Sequence, residues 1–108
     1  MSDPRLGLVS ALSYRDPRAA IAWLETAFGF ELTFLVEDAD GNVGHSELSF
    51  GSSAIMVGGE WSESHASPAS IGGKNTQSVH IRMVGDVDAH CARARAAGAE
   101  IIACLLYT

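Results

Sequence analysis

The sequence lacks any long hydrophobic run. Its longest apolar stretch, Ile101 to Tyr107, is far too short to span a bilayer. It also lacks an excess of positive charge. Seven Lys and Arg stand against 13 Asp and Glu, a formal net charge of −6. No Lys/Arg cluster offers the basic face that a nucleic-acid binder needs. Cysteine is scarce: Cys91 and Cys104 show no CxxC spacing and read as free thiols in apolar surroundings. Charged residues make up 19%, too few for a disordered chain, and 47% of the residues are apolar. In 108 residues that is enough to bury the core of one domain. The start, Met1-Ser2-Asp3-Pro4-Arg5, has no charged-then-apolar signal pattern. There is no GxSxG elbow, no HExxH and no phosphate loop, and Gly72-Gly73-Lys74 lacks the spacing of one. These absences lead to the expectation of a soluble, cytoplasmic, mildly acidic protein without nucleic-acid or membrane partners.

What is present has a clear rhythm. Residues 6–14 alternate as a strand, with Leu6, Leu8, Leu12 and Tyr14 on one face. Asp16-Pro17 starts a helix: the carboxylate caps free N–H groups, and proline fits a first-turn position whose N–H would be unpaired. Ala20, Ile21, Leu24, Ala27 and Phe28 form its apolar stripe, and Gly29 ends it. Phe30 to Val36, residues 44–50 and Ser53 to Val57 read as three more strands, the first two joined by a turn at Asp40-Gly41. Residues 58–75 are rich in Gly, Ser and Pro and read as a linker with one short helical turn. Gln77 to Val84 reads as a strand, Asp86 caps a second helix with Val87, Cys91 and Ala94 on its apolar face, and Gly98 closes it. Ala99 to Leu106 reads as a last strand.

The two halves match. Asp16 to Gly29 is 13 positions and Asp86 to Gly98 is 12, each flanked by strands, a repeat of about 70 residues. The organisation is therefore a first unit at 1–58, a linker at 59–75 and a second unit at 76–108, within one domain. The second unit stops short. After Gly29 there are 29 residues to Gly58, but after Gly98 only 10 remain. A strand left with an open apolar edge tends to find a partner. This leads to the expectation of a homodimer, with strand exchange as one way to complete the sheet.

Three stretches carry a family resemblance. They are Tyr14-Arg15-Asp16-Pro17 leading to Phe28-Gly29-Phe30, Gly44-His45-Ser46-Glu47-Leu48, and Val79-His80-Ile81 through Asp86 to Gly98-Ala99-Glu100. With them the sequence resembles the vicinal oxygen chelate superfamily, which includes glyoxalase I, bleomycin-resistance proteins and extradiol dioxygenases. The resemblance spans residues 6–106 and is nearest to glyoxalase-like proteins of bacteria. It implies an α+β fold. Tandem βαβββ modules form a curved mixed sheet around a cleft, helices lie on the outer face, and here the second module is incomplete. Enzymes of this family hold one divalent metal with four ligands, from the first and last strands of each module, as a Lewis acid.

The ligand positions are poorly filled. By alternation Ser78, His80 and Arg82 face the concavity, so His80 occupies the ligand place in the second unit. The matching place in the first strand is Val9, which cannot bind a metal, and in the fourth strand it is near Met56, a soft thioether. No cofactor is expected, and His80 would be a metal ligand only if a divalent ion is present. His80 otherwise reads as a pocket histidine bonded to its neighbours or as a general acid/base. Glu47 shares a face with His45, so the two either polarise a substrate or lie solvated. Arg82 would bind a carboxylate or phosphonate, or pair with Glu47. Trp61, alone in a polar linker, either packs on the sheet or lines a ligand mouth. His65 and His90 read as solvated surface residues. The ligand-binding set is thus Val9, Met56, Trp61, His80 and Arg82, with His80 and Glu47 as catalytic candidates. Three functions are compatible: a binder of a small metabolite or drug in the concavity without the four-ligand metal, a metal-dependent lyase, isomerase or dioxygenase completed by a second chain, and an assembly piece with no chemistry.

Overall fold

The computed structural model describes residues 7–101. Strand β1 (Ser10–Ser13) leads into helix α1 (Pro17–Phe28), then strands β2 (Glu31–Glu37), β3 (Val43–Phe50) and β4 (Ser53–Gly58). A 3-10 turn (Pro68–Ile71) and helix α2 (Val87–Ala96) follow. The fold is α+β, and its first unit is the expected βαβββ.

Local chemistry sets the helix ends. The Asp16 carboxylate accepts the Ala19 N–H at 3.1 Å, and Asp86 does the same for Ala89 at 3.0 Å. Gly29 ends α1 in the left-handed region at φ 77°, where a β-carbon would also crowd Arg93 Nη1 at 3.1 Å.

The four strands form one mixed sheet in the order β1-β4-β3-β2. Only β1 and β4 run parallel. Helix α1 lies on one face and buries Ala20, Ile21, Leu24 and Ala27. The strands answer with Leu48, Ile55 and Val57, and Phe30 closes the end of this core. Ser46 is the polar exception on that face; its hydroxyl donates to Val57 O at 2.6 Å, so burial costs it no hydrogen bond. Alternation then sends Glu47 and Met56 to the opposite face, which no helix among the described residues covers.

The second unit departs from expectation. Gln77–Val84 forms no strand. The alternation is partly realised, since Ile81 and Met83 are half-buried while Ser78, His80 and Arg82 are exposed. A strand exists through its ladder, however, and this stretch has no backbone–backbone hydrogen bond among the described residues. The final strand read at 99–106 has no ladder in its described part, Ala99 to Ile101; the rest lies outside the described residues.

Candidate functional site

The helix-free face of the sheet carries a continuous row of side chains. Ala11 pairs with Met56, Met56 with Glu47, and Glu47 with Phe34, one residue from each strand. Residues directly opposite in a ladder share a face and touch. The next row holds Val36 opposite His45. His45 Nε2 lies 3.9 Å from Glu47 Oε2, and the His45 ring meets Phe34 edge-on at 5.8 Å between centroids. Phe34 is 49% exposed and Val36 45%, so two large apolar side chains face outward beside a His–Glu pair. A shift of register between Leu32 and Phe34 makes this possible. It leaves both Thr33 and Phe34 exposed and lets Leu35 turn back to the core side.

Two clefts lie elsewhere. The first, of about 710 Å³, runs between β1 and residues 73–81. Its floor is core surface: Leu12, Trp23, Leu24, Phe28, Phe30 and Ile55. Burial raises the pKa of Tyr14, which lines it, above the ordinary phenol value. The second, of about 650 Å³, sits at the start of α1, where Arg15, Arg18, Gly44, Glu60 and Trp61 meet. Arg18 is paired with Glu37 and donates to Gly41 O at 2.8 Å. Arg15 donates to Ala69 O at 2.9 Å and to Ser70 Oγ at 3.2 Å. Hydrogen bonding to Ser70 and to the Ser67 N–H holds the Glu60 carboxyl below its usual pKa.

The residues singled out from sequence fall in three places. Glu47 and Met56 come together as neighbours in the open row. Val9 is 41% exposed and stands two residues before Ala11. Trp61 lines the second cleft, is 73% exposed and stacks on His65 at 4.0 Å between ring centroids. His80 and Arg82 are exposed on the unpaired stretch and line neither cleft. Arg82 is in no ion pair with Glu47. Two readings are corrected. His65 is not simply solvated: besides the stack, its Nδ1 lies 2.6 Å from Ser62 Oγ. His90 packs on Phe28 at 5.7 Å and edge-on to Phe50 at 6.4 Å, and its Nε2 is buried with no hydrogen-bond partner among the described residues. Sequence reasoning missed Phe34 and Val36. Their signal was an aromatic and a β-branched residue in a short strand, but the register shift that turns Phe34 outward leaves no mark in the composition.

On the open face His45 and Glu47 stand together as two ionisable donors, and among the described residues no group of three His, Cys, Asp or Glu gathers to hold an ion. These residues do not fit a four-ligand divalent centre.

The sequence matches the Glyoxalase/Bleomycin resistance protein/Dioxygenase superfamily over residues 7–105. The chain belongs to this superfamily. It is also similar to a solved structure, TioX from Micromonospora sp. ML1, with 34% identity and a TM-score of 0.67, covering 95% of this chain and 79% of that one. No curated protein matches the sequence. No helix among the described residues is long and apolar enough to cross a membrane.

Proposed function

We propose that the open face of the sheet binds a small, largely apolar or aromatic compound, and that it does so without a metal held by these residues. The observation that carries this reading is the row Phe34–Glu47–Met56 with His45 beside it. Small-molecule sites combine apolar walls with a few placed polar groups. Phe34 and Met56 supply a flat ring and a polarisable thioether on either side of a carboxylate. Glu47 accepts a hydrogen bond from a donor on the ligand, and the His45 ring stands beside that carboxylate, its Nε2 3.9 Å from Oε2. Such a surface selects a ring system carrying an N–H or O–H group, and the acidic balance of the chain favours a cationic one.

A thermal-shift screen of small planar aromatic amines and phenols tests the proposal. A compound at 100 times its Kd adds about 2.7 kcal/mol of stability, a rise on the order of 10 °C for a domain of this size. Elemental analysis of the purified protein runs beside it. Stoichiometric transition metal, with no compound raising the midpoint, would favour the metal-dependent enzyme instead.

A further inference from the structure

Two irregularities in one ladder cancel each other. Strands β2 and β3 pair Glu31 with Ser49 and Leu32 with Leu48, then Phe34 with Glu47, Leu35 with Ser46 and Val36 with His45. Thr33 on β2 is passed over. At the second shift Glu37 pairs with Val43, and Gly44 on β3 is passed over. One extra residue on each strand restores the register with which the ladder began. Only the rungs from Phe34–Glu47 to Val36–His45 are displaced, and they are displaced by one residue.

A slip of one residue exchanges the two faces of a strand. Continued without a bulge, the first register would set Phe34 opposite Ser46, on the face where α1 packs, and Leu35 opposite His45, on the open face. The ladder instead sets Leu35 opposite the buried Ser46, and Leu35 packs against the core cluster. Phe34 and Val36 therefore face outward where Leu35 would have stood. By apolar area alone the reverse arrangement buries more, so the paired bulges serve the open face and not the core.

One side chain holds the first bulge. Thr33, the residue passed over, donates from Oγ1 to Glu47 O at 3.2 Å. Glu47 is the residue that Phe34 pairs with, so this bond ties the bulge to the first displaced rung. The bulge on β3 has no side chain of its own, since its extra residue is Gly44.

We infer that Thr33 is a positioning residue of the open face. Its hydroxyl pins the bulge that sets Phe34 opposite Glu47, with the Phe34 ring edge-on to His45 at 5.8 Å between centroids. Thr33 acts on a ligand through Phe34, which rests on the proposed binding by this face; the pinning of the ring does not.

Two variants of the full chain test it. Thr33→Val keeps the β-branched shape and the strand preference and removes the hydroxyl, whereas Thr33→Ser keeps the hydroxyl. The first readout needs no ligand: nuclear Overhauser contacts between the Phe34 and His45 ring protons. They are expected to weaken at least about threefold in Thr33→Val and to stay within about twofold in Thr33→Ser, in line with the loss of one exposed hydrogen bond. Contacts across the Leu48–Ile55 rung should persist in both, which shows that the sheet is intact. The second readout is titration with tryptamine, a planar aromatic amine. Thr33→Val is expected to bind it about threefold to tenfold more weakly and Thr33→Ser within about twofold of the unmodified protein. Ring contacts unchanged in Thr33→Val would overturn the inference, as would equal loss in Thr33→Ser or loss of the Leu48–Ile55 contacts with them. Ring contacts that follow the hydroxyl while tryptamine binds every protein equally would leave Thr33 as the anchor of Phe34 and overturn its role toward a ligand, and with it the reading of this face.

Discussion

The Trp23 indole N–H donates to the Ala97 carbonyl at 2.7 Å and ties the middle of α1 to the end of α2. Arg93 returns the connection: its Nε donates to Thr26 O at 2.9 Å and its Nη2 to Glu25 O at 3.2 Å. Each helix thus satisfies carbonyls at the other's C-terminal end, where intrahelical donors run out. Trp23→Phe keeps the ring packing against Phe28 and removes the donor. The expected loss is about 1 kcal/mol. Arg93→Met is expected to cost a similar amount, and the double variant less than the sum of the two, because both act on one contact between the helices. Urea unfolding of the four proteins checks the cycle.

The two faces of the sheet should respond oppositely to truncation. Leu48 is fully buried, so Leu48→Ala is expected to cost about 2–5 kcal/mol through lost burial and a cavity. Met56, opposite Glu47 on the helix-free face, leaves no cavity in the core when cut to alanine, and its cost is expected below about 1 kcal/mol. Chemical denaturation separates the two. Equal losses would mean that the outer face is packed like the core.

Tyr14 titrates late. Burial raises the pKa of its phenol, so absorbance near 295 nm should develop at higher pH than in the unfolded chain. The folded state holds this proton more tightly. The associated stability is therefore complete below the unfolded phenol pKa and is lost as pH rises through the folded one. Tyr14→Phe should flatten that alkaline limb of the stability curve.

The acid limb belongs to two exposed carboxylates. The Asp38 pKa is lowered chiefly by hydrogen bonds from Asn42, whose N–H lies 2.9 Å from Oδ1 and whose side-chain amide lies 3.1 Å from Oδ2. Glu60 is lowered by Ser70 and Ser67. A lowered pKa contributes stability above the unfolded value and loses it as pH falls through the folded one. Asp38→Asn and Glu60→Gln should each reduce the slope of stability against pH on the acid side, with little change at neutral pH beyond the lost hydrogen bonds.

The first unit was legible because local signals and burial agree there. Asp16-Pro17, the stripe from Ala20 to Phe28 and Gly29 each have a local physical cause, and α1 obeys all of them. The second unit shows where such reading ends. Asp86 caps α2 as Asp16 caps α1, because a cap is local. Gln77–Val84 has a strand's alternation but no ladder, because a ladder requires a neighbour that alternation cannot name. The same limit governs the site. Glu47 and His45 could be placed on one face from their spacing, and Met56 joined them. Phe34 could not be placed, since a register shift decides which way it points. His80 was placed by alternation within a strand that did not form.

The proposed binding face can be probed by substitution once a compound raises the midpoint. Phe34→Ala removes the exposed ring and Glu47→Gln removes the charge of the acceptor. Each should weaken binding roughly tenfold, corresponding to about 1.4 kcal/mol, while the unfolding midpoint of the free protein moves little.

The most direct measurement is an amide chemical-shift map of the isotopically labelled protein, titrated with the aromatic compound that stabilises it most. The largest shifts are expected to gather on Phe34, Val36, His45, Glu47 and Met56 and to saturate together with one dissociation constant. Shifts gathered instead around Trp23, Phe28 and Ile55 in the cleft beside β1, or around Trp61 at the start of α1, would contradict the assignment of the helix-free face as the binding surface.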